Sequence, residues 1–399
     1  MTEMMNKICA PTEESVYALA LERVSLMFDR FDRVYASFSG GKDSTVVLNL
    51  ILDEAARRSR EKDVVVMFFD EEAVDPDTIA YVERVKARVL PLGVTFRWMC
   101  LPISHRNACS KLEPYWYPWA IEDQHRWCRP LPADCTVEAD VPNLQRLSIA
   151  EMTPYLLRDY DKQIVFATGM RAQESMRRRR IAMKKEHDNW MWELKDVPHG
   201  TMAMPIYDWM TEDIWTAIAK NKWDYTIAYD KYTMLGVAPH IQRVCPPFGE
   251  EPLANLWRFG QLWPALWERM LNRVAGAATA GRYSRGPLYG FGVRDDVLQP
   301  GETWEQVLKH ELDQWDEPTR LKIAARLRAE ITAHNTVTNN APIPIKGKYG
   351  LSWAFLRNIT RRGDTKYRRR VLYPGAPSVL FARATKPKTR GIGKAKRKV

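Results

Sequence analysis

Three short apolar runs that alternate with helix-period stretches constrain this chain more than any other feature. RVYASFS (Arg33–Ser39), DVVVMFFD (Asp63–Asp70) and TFRWMCLP (Thr95–Pro102) are rich in β-branched and aromatic residues. That composition predicts buried strands. Between them STVVLNLILDEAARRS and DPDTIAYVERVKARVL carry a helical period, and another helix is predicted from Glu14 to about Phe31. Strand, helix, strand, helix, strand in succession needs crossover connections, hence a parallel sheet covered on both faces. The expected fold is α/β with a doubly wound parallel sheet.

The pattern breaks in SHRNACSKLEPYWYPWAIEDQHRWCRPLPADC, part of a stretch from about 103 to 143 that is rich in Trp, Pro, Cys and His. A loop that long inside a compact domain is an insertion or carries function. QIVFATGM resumes the sheet as a fourth strand ending at Gly169, and past Pro205 the chain becomes mainly helical, with TEDIWTAIAK opening on a helix start. The expected organisation is an α/β domain over 1–248 containing the insertion, a mainly helical region over 249–358, and a basic tail over 359–399.

The turn between the first strand and its helix reads SGGKDS (Ser39–Ser44). Such a loop sits at the carboxyl edge of the sheet, where α/β proteins bind ligands. Unpaired N–H groups of the first helical turn make an anion site there, and Gly40 and Gly41 let backbone come close. Lys42 adds a full charge; Ser39, Ser44 and Thr45 add hydroxyl donors. Asp43 suits either a metal–phosphate complex or a helix cap. A Walker loop is excluded, because it needs glycine where Ala36 stands and a hydroxyl residue where Asp43 stands. A dinucleotide fingerprint fails for want of a third glycine.

SGGKDS resembles the PP-loop of the ATP pyrophosphatase superfamily, whose members hold the phosphates of ATP or of an adenylyl compound. Two later segments resemble its phosphoadenosine phosphosulfate (PAPS) reductase-like branch. TGMRAQESMRRRR is similar to the branch's Gly-x-Arg-x-x-Glu-Ser-x-x-Arg element at Gly169, Arg171, Glu174, Ser175 and Arg177. MPIYDWMTEDIWTAI is similar to its Pro-x-x-x-Trp-x-x-x-Asp-x-Trp segment at Pro205, Trp209, Asp213 and Trp215. The resemblance covers Val34 to Trp215 and implies an adenine nucleotide alpha hydrolase-like fold. It implies Ser39, Gly40, Gly41, Lys42, Asp43, Ser44 and Thr45 on the phosphates, Gly169, Arg171, Glu174, Ser175 and Arg177 completing the site, and catalytic roles for Lys42, Asp43, Arg171 and Arg177. Guanidinium forks grip phosphate or sulfate oxygens bidentately, and Glu174 can hold Arg171 or Arg177 in place. Arg178 to Arg180 read as a charged helix face. The acidic strand end Asp70, Glu71, Glu72, followed by Thr78, Ile79 and Val82, resembles a subfamily described as sulfurtransferases or co-regulators and encoded beside a ParB-like protein. The resemblance implies that backbone around Phe69 and Asp70 reads the adenine edge, and that a ParB-like protein or DNA is a partner.

Reductases of this branch attack the sulfonyl sulfur with a thiol in a Glu-Cys-Gly-x-His setting. No cysteine follows Cys245, and the Cys-Cys and Cys-x-x-Cys pairs of the cluster-binding relatives are absent. Plain sulfite production is therefore not the expected reaction. Cys245, behind Arg243 in HIQRVCPPFGE, is either a nucleophile or a structural thiol. Cys100, His105, Cys109, His125, Cys128 and Cys135 offer ligands for zinc or an iron–sulfur cluster, although no pair has the tight spacing of a ribbon or knuckle. The aromatics of the insertion, Tyr115, Trp116, Tyr117, Trp119 and Trp127, can stack on a base or pack the insertion onto the core. Sparse cysteines, no bilayer-length apolar run and no hydrophobic leader predict a cytoplasmic protein with no membrane contact.

The expected activity is transfer of an adenylyl or sulfur-containing group from ATP, with Mg2+, or from PAPS, to an acceptor. The alternative is a nucleotide-sensing regulator without turnover. Charge bears on partners: of the net +11, the residues from Arg361 onward carry fourteen Lys/Arg against Asp364 alone, +13, so the rest sums to −2. RATKPKTRGIGKAKRKV reads as a solubilising segment or as a nucleic-acid contact. If it contacts DNA, truncation at Ala382 abolishes retention on a DNA column and added salt weakens retention steeply; retention by the truncated chain assigns the contact elsewhere.

Overall fold

In a computed structural model of the chain, residues 15–283 and 301–363 are described, apart from 159, 161, 175–177, 179–189, 195, 250–252, 254–255 and 347–349; residues 298 and 371 are described as well. The chain forms two compact units, residues 1–284 and 285–399.

The first unit is built on a seven-stranded sheet of order β6-β3-β2-β1-β7-β9-β8. The predicted runs form β1 (Arg33–Phe38), β2 (Val64–Phe69), β3 (Thr95–Cys100) and β7 (Ile164–Ala167). Three short strands complete the sheet: β6 (Thr136–Val137), β8 (Met191–Glu193) and β9 (Gly200–Ala203). All pairings are parallel except β8 with β9 at the edge. Helices α1 (Val16–Arg30), α2 (Lys42–Arg58), α3 (Pro76–Val89) and α5 (Thr211–Asn221) bury their apolar stripes on one face, around Val34, Phe38, Val66, Phe68 and Trp98. Helix α4 (Ile149–Leu157) covers the other face, where Tyr35, Met67, Phe69, Met99 and Phe166 meet Met152 and Leu157. Covering on both faces is why the strands read as continuous apolar runs. The chain is α/β and doubly wound, as its alternation predicts.

The insertion is partly regular. It holds a small antiparallel hairpin, β4 (His105–Arg106) with β5 (Tyr115–Trp116), and β6 extends the sheet beside β3. After the sheet come α6 (Ala228–Met234), α7 (Leu256–Leu262), α8 (Pro264–Arg273) and α9 (Ala277–Tyr283). The second unit consists, among its described residues, of α10 (Trp304–Leu312), α11 (Glu317–Thr338) and α12 (Trp353–Arg362) around Leu308, Trp315, Ile323, Leu327, Leu356 and Ile359. Glu311 fixes that packing by accepting from Arg357 and Arg361 at 2.7 and 2.8 Å.

Strand order gives the site its place. From β1 the chain winds outward through β2 and β3 to β6, then returns to the other side of β1 as β7. The crevice at this reversal lies at the carboxyl ends of β1 and β7, the position where open α/β sheets accept ligands. Two glycines close the loops there. Gly40 has φ +73°, and a Cβ on it would stand 2.7 Å from Thr78 Cγ2. A Cβ on Gly169 would stand 2.7 Å from the Asp43 carbonyl carbon and 2.8 Å from Ser44 N. The loop after β7 thus rests backbone to backbone on the first turn of α2. Gly169→Ala is expected to lower the stability of the first unit by about 1–3 kcal/mol, since backbone rather than a flexible side chain must move, measured as a lower urea midpoint at unchanged slope.

Candidate functional site

Helix α2 begins at Gly41 without a side-chain cap. No side chain caps the orphan N–H groups of Asp43 and Ser44, which suit an external anion, whereas the Lys42 N–H is already taken. Ser39 and Ser44 hydroxyls lie 3.1 Å apart, and Ser44 Oγ also donates to Gly41 O at 2.9 Å, which fixes the loop's curvature. Thr45 Oγ1 instead bonds the Tyr81 hydroxyl at 2.8 Å, so it anchors the loop to α3. The Lys42 N–H donates to Tyr229 Oη at 3.0 Å, and the Lys42 ammonium sits 5.4 Å from the centre of that ring.

Lys42 is only 5 % exposed. Burial pushes its ammonium below the ordinary lysine value, the Asp43 carboxylate opposes that, and Arg171 and Arg243 push further down. Asp43 is shared: Oδ2 accepts from Lys42 Nζ at 3.1 Å and Oδ1 from Arg171 Nε at 2.6 Å. Arg171 is itself buried and fully oriented, with Nη1 donating to Gln173 Oε1 at 2.8 Å and to Trp209 O at 3.3 Å. Glu174 accepts from the Arg171 backbone N–H at 3.2 Å, pairs with Arg178, and lies 3.6 Å from Arg243. Four cations, Lys42, Arg171, Arg178 and Arg243, therefore surround two carboxylates. The excess positive charge suits a dianionic group.

The structure brings Ser39, Gly40, Gly41, Lys42, Asp43, Ser44, Gly169, Arg171 and Glu174 together at the crevice. Ser175 and Arg177 lie outside the described residues. Arg178, read as part of a charged helix face, pairs with Glu174 four positions earlier. The third motif forms the wall behind the site. Trp209 supplies a carbonyl to Arg171, Asp213 caps α5 through the Met210 N–H at 2.7 Å, and Trp215 packs edge-on against Tyr229 at 5.2 Å. Tyr229 and Arg243 were not candidates for the anion loop, since nothing local marks a residue that folds back across 187 positions. Cys245 lies close enough to Tyr229 and Tyr232 that its charge would act on both phenols.

Beyond β2 the acidic cluster is turned to internal use. Asp70 is fully buried, and its carboxylate accepts from the Trp98 indole at 2.7 Å and pairs with Arg129. Glu72, also fully buried and at φ +57°, accepts from the backbone N–H groups of Trp119 and Cys128, both at 2.9 Å, and from Arg273 Nε at 2.9 Å. These two carboxylates hold the insertion against the sheet. The cysteines follow suit: all four of the insertion and its neighbouring strand are free thiols, Cys100 Sγ donates to Asp70 Oδ2 at 3.9 Å, and burial pushes Cys109 up to about 12. No group of three or more His, Cys, Asp or Glu that can hold a metal occurs among the described residues. No helix among them is long and apolar enough to cross a membrane.

Comparison with known proteins agrees with this geometry. Residues 33–243, just over half of the chain, match the phosphoadenosine phosphosulfate reductase domain, and residues 236–338 match a domain of unknown function (DUF3440). The chain is 29% identical over 301 residues to Uncharacterized protein YbdN of Escherichia coli (strain K12), covering 73% of this chain and 72% of that protein. It is 25% identical over 244 residues to Uncharacterized protein MJ0066 of Methanocaldococcus jannaschii, covering 61% of this chain and 42% of that one. The chain belongs to the phosphoadenosine phosphosulfate reductase domain family, which implies a nucleotide-binding, sulfonucleotide-related role.

Proposed function

We propose that this protein binds ATP or an adenylyl sulfate at the SGGKDS loop and transfers an adenylyl or sulfur-containing group to an acceptor. The observation that carries this reading is the meeting of the uncapped start of α2 with Lys42, Arg171 and Arg243 at the reversal of strand order. Tyr229 Oη, 3.0 Å from Lys42 N, marks how near an oxygen comes to that helix start.

With ATP, the loop N–H groups and the Ser39 and Ser44 hydroxyls hold the β- and γ-phosphates. An acceptor oxygen attacks the α-phosphorus, the acceptor O–P bond forms as the bond to the β-phosphate breaks, and Lys42 offsets the charge on departing pyrophosphate. With PAPS, the same loop holds the sulfate end while Arg171 orients the phosphates for transfer of the sulfur-containing group. Ser175 and Arg177 are proposed to complete the ligand contacts. The Mg2+ expected with ATP does not fit Asp43 as it stands, because both carboxylate oxygens already hold cations. Charge neutralisation in this proposal accordingly runs through Lys42 and Arg171.

Isothermal titration with ATP and with PAPS, followed by a pyrophosphate-release assay, tests the reading. Lys42→Ala is expected to lower the transfer rate by roughly a hundredfold or more, and absence of binding by both nucleotides in the wild type overturns it. Tight binding with no release of pyrophosphate from ATP overturns adenylyl transfer, and tight binding with no release of adenosine 3′,5′-bisphosphate from PAPS either assigns the sensing role, with a ParB-like protein or DNA as the controlled partner. Arg171→Lys keeps the charge but loses the fixed fork that spans Asp43 and Gln173. It is expected to behave nearly as Arg171→Ala does, and full activity in the lysine variant refutes an oriented guanidinium.

A further inference from the structure

Where the insertion meets α8 there is a cavity of about 630 Å³, walled in part by Arg126, Trp127, Arg129 and Arg269. No residue of the SGGKDS loop or of the Gly169–Glu174 segment lines it, and no carboxylate occurs among its described lining residues. Its three guanidiniums are held from behind. Arg126 Nη2 pairs with Asp123, and Arg269 Nη1 donates to Cys128 O at 3.1 Å. Arg129 donates through Nε to Glu72 O at 3.2 Å and through Nη2 to Asp70, with its guanidinium 4.8 Å from the centre of the Trp119 ring. Each of the three therefore keeps N–H donors that meet no acceptor among the described residues. The acids behind them are oversubscribed. Arg273 also takes Asp123, at 2.9 Å, and Glu72, so four guanidiniums, those of Arg126, Arg129, Arg269 and Arg273, stand against the three carboxylates of Asp70, Glu72 and Asp123.

Trp127 is placed unlike the other tryptophans of the insertion. Trp116 and Trp119 are buried, 5% and 2% exposed, whereas Trp127 is half-buried and borders the cavity. Its indole N–H donates to Ala120 O at 3.0 Å, and its ring meets that of Trp119 edge to face at 5.2 Å. The ring is thus fixed, its one polar atom is spent on the backbone, and what it offers the cavity is ring carbon.

We propose that this cavity binds a nucleotide unit, one phosphate with its base, at a site separate from the SGGKDS loop. Oriented guanidiniums with spare donors suit phosphate oxygens. A fixed indole beside them is a stacking platform for a base. Gln124 and Asn272, on the same wall, each bring an amide donor and an acceptor that a base edge can use. An acidic peptide would satisfy the arginines and leave Trp127 without a flat partner. A free nucleotide and a single strand present the same unit. The two sites share no residue, so this inference does not rest on the loop reading.

Fluorescence anisotropy of the full chain with a labelled thymidine dodecamer tests the site, with thymidine 5′-monophosphate and unlabelled dodecamer as competitors. Arg126→Ala combined with Arg269→Ala is expected to weaken binding by roughly tenfold or more and to flatten the slope of log affinity on log salt by about 1–2. Circular dichroism checks the fold of each variant. Trp127→Leu is expected to weaken binding by about five- to a hundredfold, whereas Trp127→Phe keeps a ring without the N–H and retains most of it. Equal losses in the two overturn stacking. An abasic strand of the same length is expected to bind more weakly than the thymidine strand; equal binding, or displacement by polyglutamate as readily as by the dodecamer, overturns recognition of a nucleotide. Displacement by the monophosphate assigns the free nucleotide as ligand, and displacement by the oligomer alone assigns the single strand. Wild-type affinity in the double arginine variant gives the contact to the basic tail and overturns the cavity, as does failure of the wild type to bind at all. Loss of strand binding in Lys42→Ala places the strand on the loop and overturns a separate site; loss of ATP binding alone in that variant leaves the two sites independent, as expected.

Discussion

The touch of Gly169 on the first turn of α2 is the contact on which the rest of the site depends. It brings two loops that are remote in sequence to van der Waals distance at the one crevice where strand order reverses. Only at that separation can Arg171 reach the Asp43 carboxylate and share it with Lys42. A side chain between the loops would separate these charges, and the same residues would then be surface cations at the rim of an ordinary sheet. The arginine is costly to bury, and its guanidinium keeps its place because Gln173 and the Trp209 carbonyl accept from its Nη1.

The core was legible because the strands buried on both faces leave long apolar runs, and because a six-residue loop with two glycines and a lysine excludes most alternatives. The shorter strands were not. β6, β8 and β9 span two to four residues and include Gly200 and Glu193, so they carry neither run nor alternation. They exist because longer neighbours offer them an edge, which is a property of the assembled sheet. The loop residues and Arg171 were likewise readable from spacing, whereas Tyr229 is not, since its role depends on where α6 finally packs.

The acidic strand end shows how a correct observation acquires a different meaning in three dimensions. Asp70, Glu71 and Glu72 stand together in sequence, yet each meets a separate fate: a buried pair with Arg129, a carboxyl group 3.2 Å from His105 Nε2, and a buried acceptor for Trp119, Cys128 and Arg273. The fold sorts three similar carboxyl groups into three sets of partners. The positive φ of Glu72 persists because so many bonds over-determine it.

Arg273 extends that arrangement beyond the sheet. From the end of α8 it bonds Glu72, the Asp123 carboxylate at 2.9 Å and the Tyr117 carbonyl at 2.6 Å, so strand end, insertion and helix form a closed ring of donors and acceptors. A loop tied at several interior points has no loose end from which to fray. The long insertion should therefore melt with the sheet as one cooperative unit, and amide protection around Tyr117 to Cys128 should track that of β2 rather than that of the surface.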